Sequence, residues 1–158
     1  MSQTIATMNE SSTNTESEAI TLASYKGKTV LVTGGAGFIG SSLVNALSQV
    51  SCRVVLLLRP GRTWEPLGET KAEIVTLNGD ILDKQTWIKA LASTDYVFHF
   101  AAQTSAYVAN DGPRTDLNAN VVPLLQMLEV CRSEGLKPAI LFAGTVTQAG
   151  LPANIPVN

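Results

Sequence analysis

Between residues 29 and 50 the chain runs from an apolar stretch, Thr29–Val32, through Thr33-Gly34-Gly35-Ala36-Gly37-Phe38-Ile39-Gly40, into an amphipathic stretch over Phe38–Val50. A short apolar run that meets closely spaced glycines and then takes up a helical period reads as strand, tight turn and helix. Each spaced glycine has a mechanical reading. Gly34 permits the turn out of the strand, Gly37 has no Cβ to hold a ligand away from the helix start, and Gly40 lets the helix pack closely on the strand. The free backbone N–H groups of a helix N-terminus favour an anion. In this setting the spacing Gly34-x-x-Gly37-x-x-Gly40 points to the pyrophosphate of a dinucleotide. Gly27-Lys28-Thr29 resembles the end of a phosphate-binding P-loop, but position 22 is Leu rather than Gly, and the triplet precedes a strand instead of following one.

The rest of the body alternates in the same way. Lys28–Thr33 reads as the first strand and Phe38–Gln49 as a helix with Ile39, Leu43, Leu47 and Val50 on one face. Arg53–Leu58 is a continuous apolar strand, as expected where both faces of a sheet are covered. Glu73–Leu77 is a short strand, and Asp83 caps a helix to about Ala92 with Trp87, Ile88 and Leu91 inward. Asp95–Phe100 is a fourth strand. Leu117–Ser133 is helical by period, with Leu117, Val121, Leu124, Leu125 and Leu128 on a common side, and Pro123 predicts a kink or restart within it. Ala139–Ala143 is a fifth strand. This alternation predicts an α/β fold, a Rossmann-type doubly wound parallel sheet of five strands in the order 3-2-1-4-5.

Composition limits the partners. Net charge is −2 with no basic cluster, so neither nucleic acid nor an anionic membrane is expected, and no apolar run reaches the roughly 20 residues of a membrane span. His99 is the only histidine, and Cys52 and Cys131 are isolated, so no metal site is expected. The cysteines read as buried reduced thiols, and the expected location is cytoplasmic. Residues 1–24 hold ten Ser/Thr and three Glu with no Lys or Arg, unlike a secretory signal or transit peptide. The expected organisation is a disordered polar tail, 1–25, followed by an NAD(P)-binding domain, 26–158.

With these motifs in order, the chain resembles the extended short-chain dehydrogenase/reductase superfamily, in its NAD(P)-dependent epimerase/dehydratase family, over about residues 28–158. Thr33–Gly40 matches the family's TGxxGFIG in full, which implies Gly34, Gly37, Phe38, Ile39 and Gly40 as cofactor-binding residues. Asn78-Gly79-Asp80-Ile81 resembles the segment after the third strand, which implies that the Asp80 carboxylate accepts from the adenine amino group, with Ile81 beside it. A strand's C-terminal end is the ligand side of such a sheet. A turn or cap is the competing reading of Asp80, and Asp83 is better placed for that. His99-Phe100-Ala101-Ala102-Gln103 resembles H-x-A-A-x, where small residues leave room for ribose and nicotinamide; His99 itself reads as a packed strand residue. Pro113-x-x-Asp116-x-x-x-Asn120-Val121 resembles a helix whose Asn lies near the catalytic centre, although Pro123 replaces the usual small residue. A polar residue on the solvent face is the competing reading of Asn120. Phe142–Gly150 resembles S-S-[ST]-x-x-x-Y-G, which places Thr145 on the catalytic Ser/Thr that donates to a substrate oxygen. Ala143, Gly144 and Ala149 depart from that pattern.

Strand two ends Leu57-Leu58-Arg59-Pro60-Gly61-Arg62, with no acid before Glu65. A carboxylate there would bond the ribose 2′-OH of NAD, whereas a guanidinium can grip a 2′-phosphate in a fork of hydrogen bonds. NADP(H) is therefore favoured, with Arg59 and Arg62 as contacts, and NAD(H) stays open. The family's Tyr-x-x-x-Lys pair is missing, because Thr29, Phe100 and Asp111 stand four places after Tyr25, Tyr96 and Tyr107. The expectation is the N-terminal part of a nucleotide-sugar epimerase or dehydratase acting by hydride transfer. It would be truncated before the sixth strand and substrate domain, inactive alone, and open to homodimer formation. An NADPH-dependent carbonyl reductase of the same superfamily and a non-catalytic dinucleotide-binding module are the alternatives.

Overall fold

A computed structural model of the protein describes residues 22–144. The polar segment before residue 22 and the expected catalytic Thr145 lie outside the described residues. The strands are β1 (Thr29–Thr33), β2 (Arg53–Leu58), β3 (Glu73–Asn78), β4 (Tyr96–His99) and β5 (Ala139–Phe142). They form one parallel sheet in the order β3-β2-β1-β4-β5. The helices are α1 (Phe38–Ser48), α2 (Lys84–Leu91), α3 (Ala106–Asp111), α4 (Pro113–Asn120) and α5 (Val122–Ser133).

Alternation along the strands divides the core into two layers. Val30, Val32, Val54, Leu56, Leu58 and Phe98 point to one face, where Val44 and Leu47 of α1 meet them. Leu31, Val55, Leu57 and Val97 point to the other, against Trp87, Ala90 and Leu91 of α2 and Met127 and Val130 of α5. Each fully buried Val or Leu contributes about 1.5–3 kcal/mol relative to an exposed one. Leu22 and Tyr25 also pack on the first layer, with the Tyr25 ring edge-on to Tyr96 at 5.0 Å. The folded body therefore begins before residue 26.

On α1 the expected face holds at Leu43, Leu47 and, just past its end, Val50, which pack on the core, while Ile39 is 63% exposed and Val44 joins the buried line. Of the apolar residues expected on a common side of the helix over Leu117–Ser133, Leu117 of α4, Val121 between the helices, and Leu125 and Leu128 of α5 are exposed, and only Leu124 packs on the core. The buried residues of α5 are Pro123, Met127, Val130 and Cys131, at i, i+4, i+7 and i+8, and the last three pack in the core layer beneath the sheet. α5 is apolar on both sides, so period alone does not choose between them. The Pro123 expectation becomes a restart: α4 ends at Asn120, and α5 begins at Val122 with the proline in its first turn, where a missing N–H costs nothing. Helix α3 was not anticipated.

The layout places the ligand side. β1 passes through α1 to β2 on one flank, while β3 passes through α2 to β4 on the other. The loops after β1 and β4 therefore diverge at the sheet's C-terminal edge and leave a crevice between them.

Candidate functional site

The glycine turn forms one wall of the crevice. Gly34 has φ +70°, and a Cβ there would lie 2.6 Å from the Phe100 carbonyl carbon and 2.7 Å from the Ala101 nitrogen. Only glycine satisfies both the left-handed backbone and this approach of two main chains. A Cβ on Gly40 would fall 2.2 Å from the Gly34 carbonyl oxygen, so the third glycine lets the helix close directly on the turn. A Cβ on Gly35 would overlap the side-chain end of Leu56, Cδ1, at 2.1 Å, a contact that the motif spacing alone did not reveal and that a side-chain shift could relieve more readily than the main-chain clashes at Gly34 and Gly40. Gly37 is the N-cap of α1; no side chain caps this end and no acid stands in its first turn. The helix start thus offers amides and positive dipole to an anion. Phe38 and Ile39 stand exposed beside it.

Arg59, Asp80, Ile81, Ala101, Ala102 and Gln103 line one cavity of about 740 Å³. Phe100 and Leu82 give it apolar walls, and Thr115, Asn118 and Ala119 of α4 close one side. A smaller cavity of about 150 Å³ adjoins the turn, lined by Ala36, Gly37, Arg59 and Arg62. Arg62 N–H donates to the Arg59 carbonyl at 3.0 Å, and this Gly61-containing turn brings the two guanidinium-bearing residues to one cavity. Among the described residues neither arginine pairs with a carboxylate.

Asp80 combines both readings considered for it. Its Oδ1 accepts from Leu82 N–H at 2.9 Å, a local turn, and the residue also lines the large cavity. Asp83 is the helix cap, accepting from Gln85 N–H at 3.0 Å, a bond that lowers its carboxyl pKa.

The floor of the cavity is held by two polar networks. Thr33, buried at the end of β1, accepts at Oγ1 from Ala101 N–H at 3.1 Å and meets His99 Nδ1 at 2.8 Å. Asn120 engages Gln103: its Oδ1 accepts from Gln103 N–H and its Nδ2 donates to the Gln103 carbonyl. Asp116 Oδ1 accepts from Asn120 Nδ2 at 3.0 Å and from Gln103 Nε2 at 3.3 Å. Asn120 therefore spends its amide on the loop that lines the cavity, and Thr115, Asn118 and Ala119 form the wall that α4 presents. His99 is a buried strand residue, stacked on Phe142 with ring centroids 6.0 Å apart. Neither Thr33 nor His99 was singled out as a site residue from sequence, because their bond joins two strands 66 positions apart. Among the described residues no group of His, Cys, Asp and Glu could hold a metal ion, and no helix is long and apolar enough to cross a membrane.

Known proteins are similar to this chain in sequence and in fold. The family described as NAD dependent epimerase/dehydratase matches residues 30–158. UDP-glucuronate 4-epimerase 4 of Arabidopsis thaliana is 30% identical over 151 residues, covering 90% of this chain and 35% of the relative. The structure of the epimerase Mth375 from Methanothermobacter thermautotrophicus superposes with a TM-score of 0.76 at 32% identity, covering 89% of this chain and 42% of that one. UDP-glucose 4-epimerase from Thermus thermophilus, in complex with NAD, superposes with a TM-score of 0.62 at 34% identity, covering 74% of this chain and 37% of that one. The chain spans about a third of the length of the curated relatives it matches.

Proposed function

The chain belongs to the NAD-dependent epimerase/dehydratase family, and from that membership we propose that it binds a nicotinamide dinucleotide across the crevice, as part of an enzyme acting on a nucleotide sugar by hydride transfer. The observation that carries this reading is the uncapped, acid-free start of α1, where Gly37 lines the small cavity together with Arg59, a residue that also lines the large cavity bearing Asp80 and Ala101. The residues fit the group. The turn amides suit the pyrophosphate, Asp80 an adenine amino group, and the small Ala101 and Ala102 the ribose and nicotinamide. When bound, the nicotinamide accepts or returns a hydride. The chain's own residues bind and orient: Asn120 and Asp116 hold Gln103 in place, and Thr145 is assigned the hydroxyl that donates to the substrate oxygen.

NADP(H) is the proposed cofactor form. Arg59 and Arg62 flank the same small cavity as Gly37, and no acid lines it, so a 2′-phosphate there would meet two guanidinium groups. The test is a titration of the chain with NADPH and NADH, read by nucleotide fluorescence and thermal stabilisation. NADPH should bind more tightly, and Arg59→Ala should weaken that preference, with Arg62 still present, while leaving NADH affinity near its parental value. Binding of neither nucleotide overturns the dinucleotide reading; an NADH preference overturns only the assignment of Arg59.

A further inference from the structure

We infer that His99 is a positioning residue for the nucleotide cavity, acting through Thr33 on Ala101. The inference rests on the proposal that a dinucleotide occupies that cavity. Thr33 Oγ1 has two partners and one proton. Ala101 N–H can only donate, so Oγ1 is the acceptor in that bond, 3.1 Å long. The bond to His99 Nδ1, at 2.8 Å, then has two assignments. If Nδ1–H donated, the Thr33 proton would have no acceptor among the described residues. If Thr33 donates to a bare Nδ1, the hydroxyl is fully satisfied. His99 Nε2 is buried without a partner among the described residues under either assignment, so the second leaves fewer polar groups stranded.

The consequence is directional. With its proton fixed toward His99, Thr33 presents its remaining lone pairs to Ala101 N–H, and the Phe100 N–H donates to the Thr33 carbonyl at 3.1 Å. These contacts hold Phe100 and Ala101 against Gly34, at the close approach that forbids a Cβ there. The residues so held line the cavity. His99 touches no part of the cavity itself; its ring lies in the core beside Trp87 and Phe142.

The two substitutions that separate positioning from packing are His99→Phe and His99→Asn. Phe keeps the ring volume and the stack on Phe142 but offers no acceptor. Asn places Oδ1 near the Nδ1 position but leaves a void. A purely structural role predicts that nucleotide affinity follows stability, so that Asn is the weaker binder. The inferred role predicts the opposite order. His99→Phe should hold its melting temperature better than His99→Asn, yet bind the preferred nucleotide about tenfold more weakly than the parent, with faster hydrogen exchange at the Ala101 amide. His99→Asn should melt earlier and bind within about threefold of the parent. In the parent, nitrogen NMR should find Nε2 protonated and Nδ1 bare. The opposite tautomer, or parental affinity in His99→Phe, overturns the role of His99 while leaving the dinucleotide reading intact. A parent chain that binds neither NADPH nor NADH removes both.

Discussion

Asn120 meets Gln103 as a neighbouring strand would, with Oδ1 accepting from the Gln103 N–H at 2.8 Å and Nδ2 donating to the Gln103 carbonyl at 3.0 Å. One side chain thus satisfies both backbone groups of a loop residue that has no strand beside it. Asp116 settles which way round the amide sits. Its carboxylate can only accept, so it draws Nδ2 toward itself and leaves Oδ1 for the Gln103 N–H.

Asn120→Ala should therefore act on the loop more than on the fold. It strands two part-buried backbone groups, at a cost of about 1–3 kcal/mol. Amide exchange at Gln103 should accelerate well beyond that of the core strands, and nucleotide affinity should fall with it. Asn120→Asp should be worse than alanine, because it sets a second carboxylate against Asp116 and aims an acceptor at the Gln103 carbonyl. Equal urea midpoints and equal Gln103 exchange in parent and alanine variant would contradict this account.

Glycines with the same backbone sign should respond very differently to alanine. Gly34, Gly61 and Gly135 have φ of +70°, +79° and +67°, but only Gly34 has neighbours where a Cβ would go. Gly61→Ala and Gly135→Ala carry the left-handed penalty alone, about 1–2 kcal/mol. Gly34→Ala adds a collision with the Phe100 and Ala101 main chain, which cannot yield without opening the crevice, and should cost more than about 3 kcal/mol. Denaturant titration of the three variants, with nucleotide binding measured on those that fold, checks the ranking. Similar losses in all three would show that the turn and the loop are not in contact.

What the sequence disclosed follows from how local each constraint is. Arg53–Leu58 is uniformly apolar after its first residue because both sheet faces are covered, so its bounds were readable to the residue. Gly34 was readable from its left-handed place in the turn and Gly40 from its contact with the turn's own Gly34 carbonyl, whereas the Phe100 main chain against Gly34 is a non-local constraint. The inward face of α5 was not readable, since Leu125 and Leu128 on one side are as apolar as Met127 and Val130 on the other. Helix α3, with the sequence Ala-Tyr-Val-Ala-Asn-Asp, is too short to show a period. The Thr33–His99 bond and the Gly35–Leu56 contact exist only once strands pair, and no local pattern encodes them.

Asp80 carries a prediction that separates folding from binding. Its Oδ1 is committed to Leu82 N–H at 2.9 Å. In Asp80→Asn that bond obliges the amide oxygen to stay where it is and turns the NH₂ toward the ligand, where an adenine amino group would meet a donor instead of an acceptor. Stability should change by less than about 0.5 kcal/mol, whereas dinucleotide affinity should fall roughly three- to tenfold. Asp80→Ala should lose both the turn bond and the affinity. Unchanged binding in Asp80→Asn would remove Asp80 from the adenine contact.

His99 makes the fold sensitive to acid in a defined window. Burial pushes its pKa down from 6.5 to about 4, and the rings and hydroxyl around it, Trp87, Phe142 and Thr33, carry no charge to offset that. Above pH 6.5 the imidazole is neutral whether the chain is folded or not, and stability is at its full value. As pH falls from 6.5 toward 4 the unfolded chain takes up a proton that the folded chain refuses, so stability declines. Below about 4 the folded form is protonated too, and this contribution has been lost entirely. Across the window the loss is about 3 kcal/mol. Carboxylates titrate over the same range, so the comparison with His99→Phe isolates the histidine. Urea unfolding at pH 7.5 and pH 4.5 should cost the parent about 2–3 kcal/mol more than the variant. Parallel losses in the two proteins would mean that the ring is solvated, and would also remove the buried, bare Nδ1 on which the Thr33 bond depends.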